Sequence, residues 1–131
     1  MKVLLDTQIW LWAITGDARL GPKAQALLRA RKNTPLLSIA SAWEITIKFR
    51  LGRLPLPSEP ETFVPARLAR DGIGTLPIEM AHALRVASLP DIHRDPFDRI
   101  LIAQAQIEDL PLVTADPQMA EYDVTVIPAA E

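Results

Sequence analysis

Short apolar runs alternate with longer amphipathic stretches along most of the chain. Lys2-Val3-Leu4-Leu5 is apolar from Val3 and stops at Asp6, the pattern of a short buried strand. Thr7 to Ala13 reads as a helix, apolar through Ile9, Trp10, Leu11 and Trp12, and Gly16-Asp17 breaks it. Pro22 opens a second helix as a first-turn proline, and good helix formers carry it from Ala24 to Arg31. Pro35 to Ile39 is a second strand. Ala40 to Arg50 is a strong helix on which Trp43, Ile47 and Leu51 mark an apolar stripe. Leu54-Pro55-Leu56-Pro57 and Pro60 make a stiff, non-helical connection. Glu61 to Arg70 is helical, with Pro65 as a kink. Gly72 and Gly74 bracket a third strand, Ile73 to Ile78, and Glu79 to Ser88 is a helix stopped by Leu89-Pro90. After the loop His93-Arg94-Asp95-Pro96 comes the clearest amphipathic helix, Phe97 to Glu108. Leu110 to Thr114 and Val124 to Ile127 are the last two strands.

Strands that alternate with helices predict an α/β fold, a parallel sheet covered by helices on both faces. Right-handed crossovers put the C-terminal ends of all strands on one edge, where open α/β sheets bind ligands. No repeat or linker divides the chain, and 131 residues suit a single domain over 1–131. There are no cysteines, which removes disulfides, thiolate metal sites and a thiol nucleophile. The opening MKVLLDTQIWLWAI carries an acid early and lacks a signal-peptide cleavage pattern, and no apolar run reaches the ~18 residues of a membrane span. A cytoplasmic protein without a membrane partner is the expectation. The formal charge of −2 is unlike that of a protein built only to grip a nucleic-acid backbone, unless a bound cation reverses the local sign.

Four carboxylates fall at that sheet edge: Asp6 after the first strand, Glu44 early in the helix after the second, Asp98 in the first turn after the His93–Pro96 loop, and Asp116 just past the fourth strand. Each also has a capping explanation. Ser41-Ala42-Trp43-Glu44 matches a capping box, Asp95-Pro96-Phe97-Asp98 an N-cap followed by proline, and Asp116-Pro117 repeats that signature, while Asp6 precedes a helix directly. Convergence is what separates the two readings. Two carboxylates ~4 Å apart repel by about 4 kcal/mol at an effective dielectric near 20, whereas a cap is worth only ~1 kcal/mol. A cluster of four therefore needs a counter-charge, and a hard, oxygen-seeking Mg2+ or Mn2+ is the natural one.

The segments LLDTQIWLW, SIASAWEITIKFRLGRL, HRDPFDRILIAQA and LPLVTAD, in this order, resemble a PIN domain, and most closely the VapC-like toxins of toxin–antitoxin pairs. The resemblance runs from Val3 to about Ile127 and implies a PIN-like three-layer α/β/α sandwich around a parallel sheet of four to five strands. The family's four acids map onto Asp6, Glu44, Asp98 and Asp116. Asp98 takes the third place rather than Asp95 because alanines stand five and seven positions on, at Ala103 and Ala105; Asp95 becomes a cap and an outer partner. Thr114 matches the hydroxyl residue two positions before the last acid. Gln8 stands where a histidine is common in the family, a departure that bears on position 8 and not on the metal site.

Such a domain implies Mg2+- or Mn2+-dependent hydrolysis of RNA, leaving 5′-phosphate and 3′-hydroxyl ends, and neutralisation by a cognate antitoxin. Asp6 and Asp98 are the expected direct ligands, with Glu44 and Asp116 holding a second cation or ordered water; Glu44 is also a candidate proton acceptor. Thr7, Asp95 and Thr114 support these acids. Lys48, Arg94 and Arg99 are candidate contacts to the RNA backbone, while Arg50 and Arg53 read as solvated surface charge. His82 reads as a structural histidine and His93 is open, with no second histidine at zinc-ligand spacing. Trp10, Leu11 and Trp12 exceed one helix stripe, so part of that surface is a candidate seat for a homodimer partner or an antitoxin helix. The competing functions are a DNA nuclease or phosphohydrolase using the same acids, and a binding module that has lost catalysis.

Overall fold

The computed structural model describes all residues, Met1–Glu131. Five strands, β1 (Lys2–Leu5), β2 (Thr34–Ser38), β3 (Gly74–Leu76), β4 (Leu112–Thr114) and β5 (Val126–Pro128), form one sheet in the order β3-β2-β1-β4-β5, and every pairing is parallel. Six helices connect and cover them: α1 (Thr7–Thr15), α2 (Pro22–Arg29), α3 (Ile39–Arg50), α4 (Pro60–Asp71), α5 (Met80–Arg85) and α6 (Pro96–Glu108). The expected three-layer sandwich is present, at the upper end of the expected strand count.

β1 is central and both its faces are covered, which explains its unbroken apolar run. Val3 and Leu5 point to one side, where Ile9, Trp10, Leu37, Ile45, Val64, Leu68 and Val113 close a core supplied by α1 to α4. Leu4 points to the other, onto Leu101, Ile102 and Ala105 of α6 with Leu112, Met119 and Tyr122. The strand order runs outward from β1 in two directions, so the crevice at the switch point opens between β1 and β4. Leu5 pairs in register with Val113, which brings the residues that follow, Asp6 and Thr114, side by side.

Several boundaries differ from the sequence expectation, and one difference matters for the site. β2 ends at Ser38, and Ser38, not Ser41, caps α3, its hydroxyl accepting from the Ala40 N–H at 3.0 Å. Starting the helix earlier places Ser41 and Glu44 within it, so no capping box forms there. It also turns a different face inward: Ala40, Ser41, Glu44 and Ile45 are buried, while Trp43 and Leu51 of the expected stripe stay 60% and 61% exposed. That face is shared: Ile45 joins the core, while Glu44 turns into the cleft.

Elsewhere, α4 begins at Pro60 and continues through Pro65, which forfeits one backbone hydrogen bond on a helix stretch facing water. The expected helix to Ser88 tightens into a 3-10 turn at Val86–Ser88. β3, β4 and β5 are shorter than or displaced from the expected Ile73–Ile78, Leu110–Thr114 and Val124–Ile127. Gly16 and Gly72 end α1 and α4 in the left-handed region, φ 68 and 67, where a side chain would be strained. No helix is long and apolar enough to cross a membrane.

Candidate functional site

Asp6 leaves the end of β1 at the N-cap position of α1, yet its carboxylate turns to the neighbouring strand: Thr114 Oγ1 donates to Asp6 Oδ2 at 2.8 Å. The same hydroxyl accepts from the Asp116 N–H at 3.0 Å, so one threonine ties the loops after β1 and β4 together. Thr7, one residue on, donates to Glu44 Oε1 at 2.7 Å and lies 2.8 Å from the Ser41 hydroxyl. Lys48, one helical turn after Glu44, donates to its other oxygen at 2.6 Å. Asp95 caps α6 by accepting from the Phe97 N–H at 2.9 Å, as its sequence position implied, and Asp98 follows in the first turn.

The four expected acids meet. Asp6, Thr7, Glu44, Lys48, Asp95, Asp98 and Asp116 line one cleft of about 330 Å³ at the C-terminal edge of the sheet, together with Gln8, Leu11 and Ala115. Its electrostatics are those of crowded negative charge. Burial pushes the Asp6 carboxyl above its ordinary value, partly offset by the Thr114 hydroxyl and reinforced by Glu44 and Asp116. Burial, then the charges of Asp6 and Asp95, push Asp98 up to about 7. The hydrogen bond to Glu44 raises the Lys48 ammonium. Lys48 is thus committed to one acid, and the others lack an ammonium or guanidinium partner in the cleft. Crowded carboxyl oxygens, most of them without a cationic partner, fit a hard divalent cation by their chemistry.

Three sequence expectations change. Arg99 is not free for a nucleic-acid contact: its guanidinium donates to the carbonyls of Pro90 at 3.0 Å, Val86 at 2.9 Å and His93 at 3.3 Å, pinning the loop before α6. Its adjacency to Asp98 in sequence said nothing of this, because successive helix residues point in different directions. Arg94 does stay exposed. Trp10 is wholly buried, packed against Phe63 at 6.4 Å between ring centroids, so it belongs to the core rather than to a docking face; Trp12 is half-buried under Arg19.

The third concerns His93, which sequence reasoning left open. Its Nε2 reaches Asp116 Oδ2 at 2.9 Å and Asp98 Oδ2 at 3.0 Å. Its position in the loop that opens α6, shortly before Asp95 and Asp98, was the available signal. His82 is structural as expected and fully buried, far from these acids in its contacts. Tyr122, whose hydroxyl accepts from the His93 N–H at 2.7 Å, was not singled out at all.

A parallel α/β sandwich with carboxylates gathered at its switch point defines the class: an α/β domain with an acidic cleft at its sheet edge. The chain belongs to the PIN domain family, whose model matches residues 3–124. It is 43% identical to Ribonuclease VapC16 of Mycobacterium tuberculosis over an 80-position alignment covering 53% of this chain, and it spans 57% of that protein's length. Among solved structures, a chain of VapBC2 from Rickettsia felis, bound to a promoter DNA fragment, superposes with a TM-score of 0.74 at 15% identity, covering 98% of each chain. A chain of DNA-bound VapBC from Salmonella typhimurium gives 0.69 at 16%, again over 98% of each, and one of a toxin–antitoxin complex from Klebsiella pneumoniae 0.64 at 20% over 95% of each. At these identities the likeness is one of fold.

Proposed function

We propose that this chain, as one PIN domain over 1–131, is a Mg2+- or Mn2+-dependent endoribonuclease and the VapC-like toxin of a toxin–antitoxin pair, acting in the cytoplasm. The observation that carries the reading is the meeting of Asp6, Glu44, Asp98 and Asp116 in one cleft with Lys48 as their single ammonium partner. The relative named as a ribonuclease, and the fold shared with chains of VapBC complexes, support it.

Asp6 and Asp98 are the residues proposed to hold the cation, with Asp116 and Glu44 beside them. A bound divalent cation supplies Lewis acidity toward a phosphoryl oxygen and acidifies water at the site. Thr114 orients Asp6 by its 2.8 Å hydrogen bond, and Thr7 and Lys48 each hold one Glu44 oxygen. With both oxygens engaged, Glu44 is better suited to a fixed negative charge than to accepting a proton. Arg94 is the exposed cation that remains for an RNA phosphate.

An apolar groove beside the cleft supports the antitoxin partner. Leu11, Trp12, Ile14, Leu54, Leu56 and Phe63 line it, and it shares Gln8, Leu11 and Lys48 with the acidic cleft. A helix laid there reaches the acids directly. Homodimerisation is proposed through other residues than the sequence suggested: Ile39 and Trp43 of α3 and Met80 and Leu84 of α5 are exposed apolar side chains.

The test compares wild type with Asp6→Asn and Asp98→Asn on RNA, single-stranded DNA and a phosphomonoester, with Mn2+ and with EDTA. Cation-dependent cleavage of RNA that both variants lose is the expected result. Cleavage insensitive to EDTA, or retained by the variants, overturns the reading.

A further inference from the structure

Asp98 and Asp116 share a neighbour that the cation reading leaves unused. His93, Asp98 and Asp116 bring one donor atom each within 4.8 Å of one another, so a His–Asp–Asp cation site is one way to read them. The far side of the imidazole ring decides against it. The Asp95 N–H donates to His93 Nδ1 at 3.2 Å. A backbone N–H can only donate, so Nδ1 must present its lone pair, and the neutral ring then carries its proton on Nε2. A protonated Nε2 has no lone pair to give a cation, but it has a hydrogen bond to give a carboxylate. That bond goes to Asp116 Oδ2 at 2.9 Å, and Asp98 Oδ2 stands 3.0 Å from the same nitrogen.

We infer that His93 is a positioning residue of the site: its Nε2–H fixes the Asp116 carboxylate and sets its separation from Asp98. The inference rests on the cation-binding reading above. A neutral donor suits the task. It eases the repulsion between two carboxylate oxygens that face one point, while leaving their charge uncancelled for a cation; a lysine or arginine there would pair with them outright. The ring is held for this purpose at the backbone. The His93 N–H donates to the buried Tyr122 hydroxyl at 2.7 Å, and the His93 carbonyl accepts from Arg99, which also grips Pro90 and Val86. Both backbone polar groups of one loop residue are thus tied, one to the segment after β4 and one to α6.

Two measurements test it. In metal-free protein labelled with 15N-histidine, long-range 1H–15N correlation is expected to show the Nε2–H tautomer for His93; the Nδ1–H tautomer overturns the assignment. In Mn2+ titration by calorimetry, His93→Ala is expected to weaken affinity by about 10- to 100-fold, the range for outer partners of metal ligands. His93→Gln, whose terminal amide donates from about the same place, is expected to recover most of that loss. Wild-type affinity in His93→Ala, or a glutamine variant as weak as the alanine one, overturns the inference. Should His93→Ala not fold, the tautomer and the glutamine variant still decide. Should wild type take up no Mn2+, the cation reading fails by itself, and the tautomer alone decides whether His93 is the donor.

Discussion

His82, in the first turn of α5, and His93, in the loop that leads into α6, hold their rings in the same way. His82 Nδ1 accepts from the Glu79 N–H at 2.9 Å, and His93 Nδ1 from the Asp95 N–H at 3.2 Å. Each Nε2 then turns to a carboxylate, Glu108 for His82 at 3.0 Å and Asp116 for His93 at 2.9 Å. Their surroundings differ. His82 is 1% exposed, and its acid lies 40% exposed at the end of α6, with water to solvate it. That pair ties α5 to α6. His93 faces two carboxylates that line a cleft with further buried acids behind them. The same ring chemistry makes a structural clasp in one place and orders an acidic cleft in the other. What lies beyond Nε2 decides which.

Removing an acid from the second region is the strongest way to break the comparison. Asp98→Asn is expected to lower cation-dependent RNA cleavage by more than the ~100-fold that outer partners of a metal ligand command. The same variant should be the more stable protein without cation at pH 8. The sign follows from linkage. The Asp98 carboxyl sits near 7 in the fold against 3.8 ordinarily, so between those values the folded state keeps a proton that the unfolded chain has lost. Its contribution to stability is largest below about pH 4 and falls as pH rises to 7, by an amount on the order of 2–3 kcal/mol after discounting for partial solvation. Urea unfolding with EDTA at pH 5 and pH 8 should show Asp98→Asn gaining on wild type as pH rises. A difference independent of pH would refute the assigned strain.

The histidines themselves should separate next. His82→Ala leaves a cavity and a helix-start N–H without its acceptor, so a loss of about 2–3 kcal/mol, or roughly 10 °C in Tm, is expected. Its Mn2+ affinity should match wild type. His93→Ala should show the reverse, with stability within about 1 kcal/mol of wild type and cation affinity lost. Equal effects of the two on Tm and on Mn2+ binding would erase the distinction. Thr114→Val removes the donor to Asp6 and the acceptor for Asp116 N–H. A loss of 1–2 hydrogen bonds at about 1 kcal/mol each predicts roughly 5- to 30-fold weaker Mn2+ binding at pH 7 by calorimetry. The smallest effect belongs to Arg94→Ala, which should weaken RNA binding uniformly across sequences and reduce the salt slope by about 1.

Much of the fold and of the site can be read from the chain. The run Val3-Leu4-Leu5 ending at Asp6, and Leu112-Val113-Thr114 ending two residues before Asp116, predict buried parallel strands that release acids at one edge, and the sheet does so. The cap at Asp95 is equally legible, because a side-chain cap acts on a backbone N–H two residues away. What failed was whatever depended on which way a residue on a helix faces. Ser41 matched a capping box that the earlier start of α3 cancels, and Trp43 and Leu51 looked like core but point to water. Arg99 looked free because its partners are the backbone carbonyls of Val86 and Pro90, 13 and 9 residues back, and no side-chain pattern points from them to Arg99.

The sequence by itself determined the succession of strands and helices, which follows from local apolar period, and set Asp6 and Asp116 just past strands; the choice of Glu44, and of Asp98 over Asp95, came with the PIN-domain resemblance. The tertiary structure alone decided that Glu44 is held at both oxygens, that Asp98 and Asp116 share His93 as a neighbour, and that Tyr122 holds the His93 backbone. Those facts depend on Ångström separations between side chains up to 37 residues apart in sequence. Hydrogen bonding and charge repulsion change steeply over such distances, whereas the hydrophobic pattern that fixes the chain's course does not.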